Sequence, residues 1–147
     1  MKIEKSAGAI IFRKENEKIF YLLLYYPSLS HRAEKNFWDF PKGHIEKKEK
    51  EIDTVKREVF EETGIENIKI INGFKEKIKY FFKWQGETIL KYVTFYLAET
   101  DQKKISISKE HLNWQWLEFK EAYALLTHKT SKDILLKAHQ FLQKTKN

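Results

Sequence analysis

The apolar positions of this chain change period along its length, and the period predicts the elements. The run SAGAIIF, residues 6–12, is short and continuous, as in a strand buried on both faces. A polar turn at 14–18 leads to IFYLLLYY, residues 19–26, a second strand buried on both faces, which Pro27 stops. Residues 28–36 are polar and read as a loop. Residues 37–40 are short and aromatic, and Pro41-Lys42-Gly43 predicts a turn. From Glu51 to Thr63 the period lengthens. Ile52, Val55 and Val59 form one stripe of a helix, with Gly64 ending it. Two long apolar-rich segments, 68–83 and 87–99, meet at Gln85-Gly86 and predict a hairpin. Residues 114–117 predict a further strand, and 119–126 and 131–143 two further helices. There is no repeat, linker or low-complexity segment. The order fits one mixed α/β domain over residues 1–147, with a helix on each side of a sheet.

Composition narrows the setting. The 147 residues are 41% apolar and 15% aromatic, enough for a sizeable core. The absence of Cys excludes disulfides and thiolate metal sites. No apolar run approaches the roughly 18 residues of a membrane span, and the N-terminus is polar. A soluble, cytoplasmic protein is expected, acting as a monomer and without a membrane partner. The formal net charge of +7 favours anionic partners, among them nucleic acid and phosphorylated small molecules.

The helix has a second, acidic face. Glu58, Glu61 and Glu62 stand at i, i+3 and i+4, so their carboxylates project from one side. They repel one another, and Arg57 offsets only part of the repulsion. A hard divalent cation such as Mg²⁺, or Mn²⁺, would convert that repulsion into binding through oxygen ligands. Such a site suits water attack on a polyphosphate, because a metal lowers the pKa of bound water and neutralises phosphate charge.

The surrounding spacing is more specific. Five residues separate Gly43 from Glu49, and seven separate Glu49 from Arg57. There follow Glu58, Val59, Phe60, Glu61, Glu62, Thr63, Gly64 and Ile65. Residues 43–65 resemble the Nudix box in every defined position. The resemblance extends to the SAGAIIF strand and to a Glu-then-Trp segment near residues 110–116. It implies a Nudix α/β/α sandwich that hydrolyses a nucleoside diphosphate linked to another group. By the same resemblance Glu61 and Glu62 are metal ligands, Glu58 is a ligand or the general base, and Arg57 orients the carboxylates. Glu49 braces the loop–helix unit, with Gly43 and Gly64 structural. The backbone carbonyl of Lys42 or Gly43 adds a ligand, and Glu110 is a further ligand or base. His111 beside it reads as structural. Many boxes carry Pro-Gly before the first Glu, where this chain has Lys47-Lys48.

The stretch WDFPKGHIE, residues 38–46, is similar to that of asymmetric diadenosine tetraphosphate hydrolases. So are GFKEKIKY (73–80), KYVTFYLAE (91–99) and HQFL (139–142). This implies that Lys42 and Lys91 contact the phosphate chain and that Tyr80 stacks on an adenine. His128 stands where relatives carry a second aromatic. The expected reaction is diadenosine tetraphosphate to ATP and AMP, the partner a small nucleotide. An RNA 5′-pyrophosphohydrolase acting on RNA 5′ ends, or a nucleoside triphosphate pyrophosphatase of the same family, is the alternative. A non-catalytic nucleotide- or RNA-binding Nudix module is the alternative of another class.

Overall fold

The computed structural model describes residues 1–28 and 31–145, so residues 29 and 30 of the polar loop and the last two residues lie outside it. In chain order the elements are β1 (Lys2–Glu15), β2 (Lys18–Tyr26), β3 (Phe37–Asp39), β4 (Lys42–His44), α1 (Glu51–Thr63), β5 (Lys69–Trp84), β6 (Glu87–Glu99), β7 (Asn113–Leu117), α2 (Phe119–Leu125) and α3 (Lys129–Lys144). Among the described residues seven strands form one mixed sheet. Its main order is β3-β2-β1-β6-β5, with β4 paired to β1 and β7 to β2. β1 runs parallel to β6 and antiparallel to β2 and β4.

Each face of the sheet carries its own core, as the alternation of side chains along a strand requires. On one face Ala7, Ala9, Ile11, Leu22 and Leu24 meet Val55 and Val59 of α1. On the other, Ile10, Phe12, Tyr21, Leu23 and Phe95 meet Ala122 of α2 and Ile134, Leu135 and Ala138 of α3. Burying Val55 and Val59 contributes about 1.5–3 kcal/mol each and fixes which side of α1 faces outward. Gly64 ends α1 at φ 75°, and its N–H donates to the Phe60 carbonyl at 2.9 Å.

The hairpin turns follow the chemistry of their residues. Asn16 and Glu17 join β1 to β2 at φ 51° and 66°, and Gln85 and Gly86 join β5 to β6 at 51° and 78°. Both are two-residue loops with positive φ at both positions, which match the twist of the flanking strands. One expectation is corrected. Residues 42–44 are not a turn but a strand, paired Gly8 to Lys42, Ala7 to Gly43 and Ser6 to His44. Pro41 does not prevent this, because its carbonyl still accepts the Ala9 N–H at 3.1 Å.

Candidate active site

β4 is only three residues long, and its alternation sends neighbouring side chains to opposite faces of the sheet. Gly43 lies on the α1 side. A Cβ built there would stand 2.0 Å from the Glu58 carboxyl carbon, so the missing side chain is the space that Glu58 occupies. Lys42 lies on the other side, where its Nζ reaches Asp39 Oδ2 at 3.3 Å.

On the α1 side, Arg57 links the carboxylates. Its Nε and Nη2 donate to the two oxygens of Glu49 at 2.8 and 3.0 Å, a bidentate pair. Its Nη1 donates to Glu58 at 2.6 Å and to Glu61 at 2.9 Å, and Nη2 also reaches the His44 carbonyl at 3.0 Å. Glu49 further accepts the Thr54 hydroxyl at 2.6 Å and the Glu46 N–H at 3.0 Å. The Arg57, Thr54 and Glu46 donors together hold its carboxyl down at about 2. Lys48, in the position where many boxes carry glycine, adopts φ 69°, a left-handed backbone that glycine enters without strain.

Glu62 is buried, unlike exposed Glu61. Its Oε1 accepts the Lys42 N–H at 3.0 Å. Its Oε2 lies 3.2 Å from His111 Nε2, within ion-pair distance but off the direction of a hydrogen bond. The His111 ring is itself buried, 2.8 Å from Ser108 Oγ through Nδ1 and edge-on to Tyr26 at 4.6 Å. Burial pushes the Glu58 carboxyl up to about 7, and the neighbouring Glu62 charge adds to the rise. Burial raises Glu62 also, against the pull of His111 and Lys42.

On the opposite face a cationic cluster lies along the β1–β6–β5 ladder. Glu4, Lys91 and Tyr80 occupy one row across the three strands. Lys91 is 8% exposed, yet its nearest recorded anion, Glu4 Oε1, is 4.0 Å away. Arg32 claims that carboxylate with hydrogen bonds of 2.7 and 3.1 Å, while its guanidinium lies 4.8 Å from the Phe82 ring centroid. Tyr80 is 39% exposed and 6.0 Å from Phe82, centroid to centroid. Lys42, Lys91, Arg32 and Tyr80 thus share one side of the sheet edge, a set suited to a phosphate chain and a base.

Burial, with Lys42 nearby, lowers the Lys91 ammonium to about 8. Two signs follow. Its folded pKa lies below its unfolded one, so the charged form costs stability below pH 8, by roughly 3 kcal/mol at most. That cost fades as pH rises from about 8 towards the unfolded value. Polyphosphate affinity runs the other way, because the ammonium that attracts the anion is lost above pH 8. KM for a dinucleoside polyphosphate is expected to climb as pH passes through about 8, and Lys91→Arg to remove the climb. A flat KM between pH 7 and 9 in the parent would exclude Lys91 from the phosphate contact.

Two of the expected site residues, Glu110 and His128, are exposed, and among the described residues neither forms a hydrogen bond or ion pair with the α1 carboxylates or the cationic cluster. The Glu110 N–H donates to Ser108 Oγ at 3.3 Å, and among the described residues its carboxylate makes no hydrogen bond or ion pair. From the same turn Ser108 N–H donates to the Glu62 carbonyl at 3.2 Å, and the His111 ring meets the Glu62 side chain. His128 caps α3 and packs on Phe37, ring centroids 5.4 Å apart. Arg32 and Glu4 were not singled out by sequence, because nothing local marks a loop arginine or a strand glutamate as part of a distant cluster, and His111 was read as structural with no partner named.

A model of the NUDIX domain matches residues 2–138. The asymmetrical bis(5'-nucleosyl)-tetraphosphatase of Mus musculus is 34% identical, covering 96% of this chain and 97% of the relative. The crystal structure of a C. elegans Ap4A hydrolase binary complex aligns with a TM-score of 0.80 and 31% identity, over 96% of this chain and 98% of that one. An RNA pyrophosphohydrolase of Bartonella bacilliformis is 24% identical over 77% of this chain. With the family match running over nearly the whole length, and relatives above 30% identity spanning the same residues, the chain belongs to the Nudix family and is one of its hydrolases.

Proposed function

We propose that this chain hydrolyses dinucleoside polyphosphates, splitting diadenosine tetraphosphate into ATP and AMP by attack of water on phosphorus. The observation that carries the reading is the alternation along β4. It sets the carboxylates of α1 on one side of Lys42-Gly43 and the lysine, arginine and tyrosine cluster on the other. The likeness to the mouse and C. elegans proteins supports the same reading.

Nudix hydrolases generally use divalent metal ions, and the donors here fit one. Glu58, Glu61 and Glu62 offer only oxygen, and burial raises the carboxyls of Glu58 and Glu62 in spite of the Arg57, His111 and Lys42 groups beside them, which a further cation would offset. Among the described residues no three acidic or histidine side chains converge on one point. Arg57 is the resident cation between Glu58 and Glu61, and a metal would compete with it there. Mg²⁺ is the cation proposed, with Mn²⁺ a substitute. When bound, it supplies a water of lowered pKa and neutralises phosphate charge.

The remaining tasks fall to side chains. Glu58, with its carboxyl near neutrality, accepts a proton from the attacking water. Arg57, anchored on Glu49, keeps Glu58 and Glu61 in place. Lys42 and Lys91 hold phosphates, and Tyr80 stacks on one adenine. A base held at a fixed distance from the carboxylates lets cleavage be measured from one end of a symmetric molecule, which makes it asymmetric. The test is reaction in ¹⁸O-labelled water with Mg²⁺, with and without excess EDTA, and mass spectrometry of the products. ATP and AMP are expected, the label confined to one of them, and no turnover with EDTA. Two molecules of ADP would defeat the asymmetric reading. Brisk removal of pyrophosphate from RNA 5′ ends without dinucleotide cleavage would replace it.

A further inference from the structure

The long hairpin has two faces, and only one carries the Tyr80–Lys91 cluster. On the other, the register aligns Ile3 with Leu90 and Phe81, Lys5 with Tyr92 and Lys79, and Thr94 with Lys77. Lys75 and Lys83 of β5 share this face, four residues before and four after Lys79. Helix α1 reaches the sheet at the last of these rows and beyond it, where Glu51 accepts Thr94 Oγ1 at 2.9 Å and Tyr96 OH at 2.7 Å. The outer rows are open. Phe81 is 61% exposed and Ile3 56%. A groove of about 340 Å³ runs between the start of α1 and the hairpin, with Lys5, Lys77 and Tyr92 in its wall.

The charge on this face is unbalanced. Among the described residues Glu51 is the one acidic residue lining the groove, and it is already engaged by Thr94, Tyr96 and Lys75. Among the described residues Lys5, Lys77, Lys79 and Lys83 form no ion pair within 4.0 Å. An edge strand needs some lysine to block pairing with another chain. That need does not account for an exposed Phe81 and a half-buried Tyr92 set among the lysines, with Tyr92, Lys5 and Lys77 lining a groove and Phe81 on the open strand beside it. Alternating cations along an extended strand, interleaved with aromatic faces, are what a single-stranded polynucleotide requires. An anionic membrane would be met by a broad convex patch rather than a groove.

We propose that this face binds single-stranded nucleic acid, its phosphates along Lys77, Lys79, Lys83 and Lys5 and its bases against Phe81 and Tyr92. The site lies across the sheet from the substrate cluster and stands whether or not the proposed reaction is correct.

The test is fluorescence anisotropy with labelled oligouridylate and oligothymidylate bearing 5′-hydroxyl ends, titrated at several salt concentrations. Binding is expected at low salt, to both probes if phosphates and base faces are all that is read. Lys77→Glu/Lys79→Glu/Lys83→Glu should weaken it at least about ten-fold and reduce the log–log salt slope by about 2, at roughly 0.7 per phosphate contact. Hydrolysis of a dinucleotide should be unchanged in this variant. Should it not fold, the corresponding Lys→Gln set carries the same expectation. Phe81→Ala should weaken binding by a factor that salt does not alter. No binding by the parent at low salt would overturn the proposal. So would an equal loss in Lys91→Ala, or capture of phosphatidylserine vesicles with no affinity for either oligonucleotide.

Discussion

Glu58→Gln is expected to lower kcat by about 10²–10⁴-fold, the range lost when a positioned proton acceptor is removed, while the fold survives. Glutamine keeps the shape that fits over Gly43 and can still accept from Arg57, whose Nη1 stands 2.6 Å from Glu58 Oε1. It cannot take a proton from water. The same change should alter stability in a pH-dependent way. The folded carboxyl titrates at about 7, above its ordinary 4.5, so the fold prefers the neutral form. The wild-type contribution is therefore most favourable below pH 4.5 and declines as pH rises through 7. In metal-free protein the variant should melt higher than the parent at pH 8, with the gap closing towards pH 4.5. Added cation should narrow it too, by supplying counter-charge to the parent. Steady-state kinetics and thermal melts across pH give both readings. A variant with near-parent kcat would remove Glu58 from the chemistry. One with a collapsed circular dichroism spectrum would show its role to be structural.

What could be read from the sequence divides by the range of the interaction. Helix α1, its apolar stripe and its Gly64 stop depend on residues within a few positions, so 3.6-residue spacing and a glycine sufficed. The Gln85-Gly86 hairpin was legible for the same reason. Strand β4 was not. Pro41 and Gly43 are turn residues by local rule, and only the pairing with residues 6–8 makes an extended segment of them. Glu49, Arg57 and Glu58 were named by spacing, but their mutual geometry depends on the sheet beneath. His111 shows the limit most clearly. A histidine beside an exposed glutamate has no local mark, yet folding buries it 3.2 Å from Glu62. The lysines of KEKIKYFFK were visible as letters. Their common face emerges only from the register with β6.

Gly43→Ala should be nearly as damaging as removing Glu58, although it adds only a methyl group. An ideal Cβ at Gly43 stands 2.0 Å from Glu58 Cδ and 2.3 and 2.4 Å from its oxygens, distances that real side chains do not tolerate. Backbone strain is not the cause, since Gly43 is absent from the positive-φ positions. The conflict is one of space alone. Strand β4 cannot retreat freely, because it is paired with β1 and the Lys42 N–H donates to Glu62 Oε1 at 3.0 Å. Glu58 is the softer partner, so its carboxylate should swing away and lose the Arg57 contact at 2.6 Å. Displacement of a reacting group by about 1 Å can cost on the order of 10²-fold in rate, and a loss of at least that size is expected here. Stability should fall by about 1–3 kcal/mol, the usual cost of overpacking. Glu58→Ala in the same chain separates the two effects. With that carboxylate gone, alanine at position 43 has room, so the double variant should recover the melting temperature while remaining inactive. If Gly43→Ala lowers the melting temperature equally in both backgrounds, the clash lies with the backbone, and the pairing of Gly43 with Glu58 is not what this glycine is for.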